Sequence, residues 1–412
     1  MANEHYQQYF DMSHQSPTVG GMDMDTLCHL AGQTPFYVYS SEVIERKIQI
    51  LREALPESIS LHYALKANPM PQLVRFLASL VDGLDVASLK ELQVATSSGI
   101  NAAAISFAGP GKSDAELCAA MALGATLNIE SVNELNRVVS LRQVHNFNAS
   151  VAIRINPDFS LKNSGMTMGG GSQQFGIDAE KIEALIKDWP DEKVKLRGFH
   201  LYWGSQNLNV KAIQEAHKQT FNTIDRLLSH CENHDIREIN IGGGFGIPYF
   251  PNDNPLDLKP IGDNLAELLA TYPQIAAKKI VIELGRFIVG EAGLYVTKIV
   301  DIKESRGSNF IVCDGGLHHH LALSGNFGQV LRKNYPVDHV KIASNLSSPS
   351  DEPSAYNAVG PLCTPLDILG QKLSLISPKV GDLLVVYQSG AYGYSASPHQ
   401  FLSHPLPVEL FI

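Results

Sequence analysis

Cysteine is scarce in this sequence, and no two cysteines lie close together. The chain of 412 residues contains five cysteines. They are Cys28, Cys118, Cys231, Cys313 and Cys363. Because none forms a CxxC pair, they indicate neither a disulfide framework nor a zinc site, and they favour free thiols in a reducing compartment.

Long apolar runs and basic clusters are also missing. No run is long enough to cross a bilayer, and the polar start "MANEHYQQYFDMSHQ" has no signal-peptide core. We therefore expect a cytoplasmic protein with no membrane partner. Lysine and arginine total 32 against 42 aspartates and glutamates, a net charge of −10. This balance argues against nucleic acid and favours small molecules or proteins as partners.

What the sequence does contain is a regular alternation of strand-like and helix-like segments. Helical periodicity begins near Ser88, Ser113, Ser131 and Asn209. The strand-like segments are 61–66, 84–87, 104–109, 126–130, 151–156, 197–203, 238–243 and 280–284. Eight strands over about 220 residues are typical of a parallel (β/α)8 barrel. A doubly wound open sheet also alternates but usually has fewer strands.

The pattern changes after Arg286. Strand-like segments at 294–305, 308–316, 339–344, 381–393 and 406–412 are separated by turn residues with little helical periodicity between them. We expect a leader over 1–40, a barrel over 41–286 and a C-terminal β domain over 287–412. A further strand at 34–40 has no place in the barrel, so we expect it to join the β domain.

Polar and glycine residues collect where the predicted barrel strands end. Lys66 ends the first strand, "GGGFG" (242–246) follows the seventh, and "ELGR" (283–286) ends the eighth. Chemistry in such barrels lies at this end of the strands, and the loops after strands seven and eight commonly bind phosphate. Taken singly, a lysine at a strand end is most often solvated, and a glycine turn is as often a tight connection as a binding site.

A phosphate site, a desolvated lysine and a carboxylate in one barrel mouth together indicate pyridoxal 5'-phosphate (PLP). Lys66 must be neutral to attack the aldehyde, and an apolar strand end disfavours its charged form. Glu283 is placed to hydrogen-bond the pyridine nitrogen and keep it protonated.

The motifs also match a known family. They are "YALKANP", "GPGKS", "GSQ", "GGGFG", "ELGR", "DGGLHH", "GPLCTPLD" and "SGAYG". In this order they resemble the fold-type III PLP-dependent decarboxylases, which include ornithine and diaminopimelate decarboxylases. The resemblance implies an alanine racemase-like barrel plus a β domain, in a homodimer with shared active sites. It is closest to a biosynthetic subgroup that includes the butirosin-pathway decarboxylase of carrier-linked glutamate and exosortase-associated enzymes.

The resemblance also implies roles for individual residues. Lys66 resembles the lysine that bonds to the cofactor, and Cys363 resembles the cysteine from the other subunit that returns a proton to Cα. Glu283 resembles the partner of the pyridine nitrogen. The other residues expected around the cofactor are Asp85, Glu91, Arg154, His200, Tyr202, Ser205, Gly243, Gly244, Phe245, Gly246, Gly285, Arg286 and Tyr392.

Two departures from the family pattern concern the ring and the substrate. The usual histidine three residues before Ser205 is replaced by Tyr202, with His200 two positions earlier on the same face of its strand. We expect Tyr202 to stack on the ring and His200 to support it by a hydrogen bond. Thr364 stands where the relatives have a carboxylate that binds a distal amino group, which disfavours free diamino acids.

The segment "HHH" (318–320) raises the question of a metal. No nearby acidic or cysteine residue completes a convincing ligand set, so we predict no metal and expect His318 and Tyr392 to face the substrate with Thr364. The predicted function is decarboxylation of an L-amino acid or derivative, tethered or not to an acyl-carrier protein. The alternatives are decarboxylation of free diaminopimelate, ornithine or lysine, an amino-acid racemase, and a non-catalytic PLP-binding protein.

Overall fold

The computed structural model describes residues 5–12, 16–158, 166–167, 169–250, 253–325, 332–341 and 352–412. These residues divide into two compact units. The barrel unit comprises residues 45–247 and 256–288. The sheet unit comprises the described residues up to Ile44, those within 248–255, and those from Val289 to Ile412.

The strands are numbered in chain order. They are β1 (Phe36–Tyr39), β2 (Ile59–Ala64), β3 (Gly83–Val86), β4 (Ile105–Phe107), β5 (Thr126–Ile129), β6 (Ala149–Asn156), β7 (Met166–Thr167), β8 (Ile177–Asp178), β9 (Val194–Leu201), β10 (Gly204–Ser205), β11 (Glu238–Gly243), β12 (Lys279–Leu284), β13 (Gly293–Ser305), β14 (Ser308–Cys313), β15 (Val337–Val340), β16 (Ser354–Val359), β17 (Ile368–Leu375), β18 (Leu383–Val386) and β19 (Val408–Phe411).

The helices are numbered in the same way. They are α1 (Met24–Ala31), α2 (Ser41–Ala54), α3 (Pro71–Leu77), α4 (Leu89–Ser97), α5 (Asp114–Leu123), α6 (Val132–His145), α7 (Ala179–Lys187), α8 (Val210–Leu228), α9 (Lys259–Thr271), α10 (Pro273–Ala276) and α11 (Arg286–Val289). Short 3-10 turns cover Leu65–Ala67, Ala102–Ala104, Gly290–Ala292, Leu321–Ser324 and Phe401–Ser403.

Eight parallel strands close the barrel. Their order is β5, β4, β3, β2, β12, β11, β9 and β6, and β6 pairs with β5 to complete the ring. Short β8 pairs with β6 as an addition. The closed ring confirms the predicted (β/α)8 fold and excludes the open sheet. It also brings the carboxyl ends of all eight strands to one rim.

Helix caps explain why the predicted helices begin where they do. The side chains of Ser88, Ser113, Ser131 and Asn209 each accept the backbone N–H three residues ahead, at the start of α4, α5, α6 and α8. Ser113 and Glu116 form a complete capping box. These four predicted starts are confirmed.

The sheet unit is a mostly antiparallel sheet in the order β15, β18, β13, β14, β16 and β17. Strand β1 pairs antiparallel with β13 and parallel with β19. The sequence did not predict β16, β17 or α1. Only part of the predicted segment 339–344 is described, because residues 342–344 lie outside the described ranges. Among the helices described here, none is both long and apolar enough to cross a bilayer.

Candidate active site

Lys66 lies just beyond the end of β2. The strand stops at Ala64, and residues Leu65–Ala67 form a 3-10 turn, so the expectation that Lys66 ends the strand itself is wrong by two residues. Leu65 and Ala67 are buried and fix the turn, while Lys66 is half-buried. A Cβ on Gly285 would lie 2.8 Å from the Ala67 Cβ, so glycine at this position allows the close packing.

Tyr202 faces this lysine. The Lys66 Nζ lies 5.1 Å from the centroid of the Tyr202 ring, within the range of a cation–π contact. Tyr202 is buried just after the end of β9, so its ring forms part of the wall beside Lys66. Glu91, near the start of α4, interacts electrostatically with Lys66. Burial raises the pKa of the Glu91 carboxyl, and a hydrogen bond from the Ala87 N–H opposes that rise.

Glu283 is a buried carboxylate held from two sides. The Asn240 Nδ2 donates to Glu283 Oε2 at 3.0 Å, and the His200 Nε2 lies 3.2 Å from the same oxygen. Burial alone would raise the pKa of Glu283, but the charges of His200, Lys66 and Arg154 outweigh burial and hold that pKa well below its usual range. Glu283 therefore remains ionised.

His200 does not make the contact expected from the sequence. Its Nε2 lies 3.2 Å from Glu283 Oε2, while neither ring nitrogen makes a hydrogen bond to any described residue. The predicted hydrogen bond from His200 to Tyr202 is therefore not formed. The physical reason is that a buried carboxylate at 3.2 Å attracts the imidazole more strongly than a neutral phenol.

Asp85 and Arg154 lie on β3 and β6, which are separated by β4 and β5 in the ring of strands. Asp85 on β3 is buried, with its Oδ1 3.5 Å from the His62 Nδ1. Burial raises the pKa of the Asp85 carboxyl; His62 opposes the shift, and the negative charge of Glu283 adds to it. Arg154 on β6 donates to Glu130 Oε1 at 2.9 Å, which holds its guanidinium in place.

The glycine turn after β11 packs directly on the segment that carries Ser205. A Cβ on Gly243 would lie 1.9 Å from the Glu283 carbonyl oxygen, and one on Gly244 would lie 1.9 Å from the Gly204 carbonyl oxygen. Gly244 also has φ of +76°, which strongly favours glycine. No residue with a side chain fits this approach, so the turn presents its backbone to the rim.

Phe245 and Arg286 lie next to this turn. The rings of Phe245 and Phe287 meet edge to face at 6.0 Å between centroids, which brings the start of α11, and with it Arg286, beside the turn. Gly246 donates its N–H to the Asn207 carbonyl at 2.9 Å. The predicted phosphate residues of the barrel unit are therefore neighbours.

The remaining predicted residues belong to the sheet unit. Cys363 is exposed, and Thr364 and Tyr392 are half-buried. Tyr392 has φ of +59°, an unusual backbone conformation for a tyrosine. His318 is fully buried, and its ring lies 3.6 Å from that of His319. Burial and the neighbouring histidines lower the pKa of His318 to about 3, so it is neutral at pH 7.

The predicted absence of a metal concerns this histidine segment. Across the part of the chain that is described, no group of three or more metal-ligating side chains is arranged to hold an ion. The contacts of the segment are structural: His319 hydrogen-bonds the Pro405 carbonyl at 2.8 Å, and His320 hydrogen-bonds Ser389 at 3.1 Å.

Sequence reasoning missed two residues that hold others in place. Asn240 links Glu283 to the glycine turn, because its Oδ1 accepts the Gly242 N–H at 2.8 Å. Asp367 accepts the N–H groups of Leu317 and Leu362 and so fixes the loop that carries Cys363. The signal for Asn240 was an amide inside an otherwise apolar strand.

The barrel site fits PLP. Both carboxylate oxygens of Asp85 and both ring nitrogens of His200 are buried and have no hydrogen-bond partner within the described ranges, which is unusual for polar atoms in a finished interior. A cofactor with polar ring substituents would supply such partners. The backbone turn with Ser205 and Arg286 suits its phosphate, and ionised Glu283 suits its pyridinium nitrogen.

The comparison with known families identifies the family of this chain. Residues 41–290 match the family model described as pyridoxal-dependent decarboxylase, pyridoxal binding domain. The chain belongs to this family. The predicted cofactor, PLP, and the predicted enzyme class, an amino-acid decarboxylase, are thereby confirmed.

This decarboxylase matches individual relatives over nearly its whole length. It is 38% identical over 389 residues to the L-glutamyl-[BtrI acyl-carrier protein] decarboxylase of Niallia circulans, covering 92% of this chain and 88% of that protein. It is 30% identical over 410 residues to the diaminopimelate decarboxylase of Aquifex aeolicus, covering 99% and 93%. A crystal structure of the Helicobacter pylori diaminopimelate decarboxylase complexed with L-lysine matches 92% of each chain with a TM-score of 0.81 and 29% identity.

Proposed function

We propose that this decarboxylase acts on an L-amino acid tethered to an acyl-carrier protein or otherwise modified at its far end, in a biosynthetic pathway. The observation that carries the proposal is the lack of an available carboxylate in the loop 360–367. Its one acidic residue, Asp367, is buried and accepts two backbone N–H groups, at 2.6 and 2.8 Å. The relative that acts on a carrier-bound glutamate supports the same conclusion.

Thr364 adds a second argument. Its hydroxyl accepts the Leu366 N–H at 3.3 Å, so the side chain helps to shape the loop and brings no charge. A free diamino acid carries a distal ammonium that needs a charged partner. A substrate whose far end is an amide or thioester carries no such charge and suits Thr364.

The barrel residues have the following proposed roles. Lys66 would hold the cofactor until a substrate amine binds, and Tyr202 would lie against the ring. When bound, PLP supplies an electron sink for the electron pair left at Cα after CO2 departs. Glu283, ionised and held by Asn240, keeps a proton on the pyridine nitrogen and so strengthens that sink.

Phosphate binding is assigned to the rim between β11 and β12. The set consists of Ser205, Gly243, Gly244, Phe245, Gly246, Gly285 and Arg286. Asp85, Glu91, Arg154 and His200 then surround the cofactor with charge, and Tyr392 faces the substrate. His318 is fully buried, so the proposal gives it no contact with the substrate.

Cys363 is proposed to return the proton to Cα in the active site of a second subunit. Its exposure in the sheet unit supports this assignment, as do the exposed apolar side chains of Leu366, Leu402 and Leu406. His404 interacts electrostatically with Asp367, so the segments around Leu366 and Leu402 are neighbours. An exposed apolar patch beside a functional cysteine is the expected face of a homodimer.

The substrate proposal is tested by measuring CO2 release from amino acids loaded on carrier proteins and from the same acids free. We expect turnover of the loaded acids and little of free lysine, ornithine or diaminopimelate. Thr364→Glu should raise activity on free diamino acids by at least about tenfold, since a charge-assisted contact contributes about 1.5–3 kcal/mol. Thr364→Gln, of the same size but neutral, is the matched control. Rapid turnover of a free diamino acid by the unmodified enzyme would contradict the proposal.

The shared active site is tested by subunit mixing. Lys66→Ala and Cys363→Ala should each be inactive in the full reaction, and each should be purified alone. If the sites are shared, a mixed sample should recover about a quarter of normal activity, because half of the dimers then contain one intact site. No recovery after verified subunit exchange would place Cys363 and Lys66 of one chain in the same site.

A further inference from the structure

A line of buried polar side chains runs through the barrel interior on the side of the strand β2. His62 lies on β2, in register with Gly83 on β3 and Glu283 on β12. It is 1% exposed. Its Nδ1 lies 3.5 Å from Asp85 Oδ1, and its Nε2 lies 3.0 Å from the Lys279 Nζ.

Lys279 fixes which nitrogen of His62 carries the hydrogen. An ammonium group can only donate, so the His62 Nε2 must accept from Lys279. A neutral imidazole with an accepting Nε2 carries its hydrogen on Nδ1, the atom that faces Asp85. Lys279 is itself held by Glu238 at 2.9 Å and is partly exposed.

The barrel is shaped to hold the imidazole in this position. A Cβ on Gly83 would lie 2.3 Å from the His62 Nε2, so any side chain there would displace the ring. The charged or titratable groups that face His62 are Asp85 on β3 and, on β12, Lys279 and Glu283. Glu283 is the register partner of His62, and Glu238 on β11 lies beyond Lys279.

Asp85 needs such a partner. Its carboxyl is buried, and the negative charge of Glu283 acts on it, so both effects favour the protonated form, while His200 on β9 acts in the opposite sense. The His62 Nδ1 lies 3.5 Å from Asp85 Oδ1 without forming a hydrogen bond, and a hydrogen on that nitrogen favours the carboxylate electrostatically. We propose that His62 is a positioning residue that keeps Asp85 ionised at the cofactor end of the barrel, and that Lys279 fixes the tautomer this requires.

This role predicts a change in the cofactor itself. Loss of the negative charge on Asp85 would disfavour a positive charge near Lys66, so the lysine-bound cofactor should lose its proton at lower pH. Replacing His62 by leucine removes both contacts, whereas asparagine keeps a side-chain N–H close to the Nδ1 position. Lys279→Met removes only the group that fixes the tautomer.

The test uses the PLP-loaded enzyme without substrate, so its result is independent of the substrate proposal. The visible absorption of the lysine-bound cofactor is titrated from pH 5 to 9. We expect the midpoint of His62→Leu to lie at lower pH than that of the unmodified enzyme. The midpoint of His62→Asn should lie close to the unmodified value, and that of Lys279→Met should lie between the values of the unmodified enzyme and His62→Leu. Equal midpoints in all four proteins would overturn the proposal.

Thermal unfolding supplies the second readout. A raised carboxyl pKa in the folded state means that the fold binds more protons than the unfolded chain, so stability falls as pH rises above about 4. The melting-temperature deficit of His62→Leu should therefore grow by a few degrees between pH 5 and 8. This growth should vanish when Asp85→Asn is added. If the melting-temperature deficit of His62→Leu is constant with pH, or if its growth with pH is unchanged by Asp85→Asn, His62 has only a structural role.

If His62→Leu does not fold, both measurements can be made on Lys279→Met, because Lys279 is partly exposed.

Discussion

Asn240 offers the sharpest single perturbation of the barrel site. Replacing it with alanine removes a 3.0 Å hydrogen bond to the buried Glu283 carboxylate, a loss of about 1.5–3 kcal/mol. It also leaves the Gly242 N–H without its 2.8 Å acceptor, which costs about 1–3 kcal/mol. We expect Asn240→Ala to lower the free energy of unfolding by about 3–5 kcal/mol, allowing for overlap between the two effects.

The assay is urea unfolding of the PLP-loaded enzyme, followed by fluorescence and by cofactor absorption. Asn136, exposed on α6, supplies the control, and Asn136→Ala should change the unfolding free energy by less than about 0.5 kcal/mol. If Asn240→Ala were as stable as the unmodified enzyme, the assignment of Asn240 as the residue that holds Glu283 in place would be refuted.

Asn240→Asp separates charge from shape. A carboxylate there would lie about 3 Å from Glu283, and two such charges repel by about 5 kcal/mol at an effective dielectric constant of about 20. One of the pair should therefore keep a proton, and the variant should be more stable and more active near pH 5.5 than near pH 8. A pH profile equal to that of the unmodified enzyme would contradict the geometry.

Three further outcomes follow from single contacts. Lys66→Ala, correctly folded, should lose the visible absorption of the lysine-bound cofactor while still binding PLP through Ser205 and the glycine turn; persistence of that absorption would show that another lysine bonds to PLP. Ser113→Ala should lower the unfolding free energy by about 1 kcal/mol through loss of the α5 cap, with no effect on the cofactor spectrum. Asp367→Ala should make Cys363 react faster with a thiol reagent. The N–H groups of Leu317 and Leu362 lose their acceptor in this variant, so the loop that carries Cys363 becomes more mobile. An unchanged reaction rate would show that other contacts fix the loop.

The sequence predicted those features of the fold that depend on short-range patterns. The four helix starts follow from Ser or Asn caps, and the eight barrel strands follow from apolar segments repeated between helices. Strand β16 escaped prediction because its side chains are mostly exposed or half-buried, and it is defined by pairing with the distant β14 and β17.

The site was predictable as a set of residues and less so as a set of contacts. Lys66, Glu283 and the glycine turn were predicted to lie together because barrel topology places strand ends on one rim. The pairing of His200 with Glu283 was missed because it depends on which side chain a buried carboxylate attracts, which the spacing of His200 and Tyr202 does not specify. The clamp by Asn240 was missed for the same reason, since it links two strands and a turn.

Strand β1 has a consequence for the order in which this protein takes shape. Phe36 pairs with Val296 on one side and with Val408 on the other, so β1 gains its second neighbour only after β19 has left the ribosome. The barrel residues are synthesised in between and need no strand from the sheet unit to close their ring. A nascent chain stalled before β19 should therefore carry a finished barrel and an unpaired β1 edge, a species in which chaperones have one defined strand to protect.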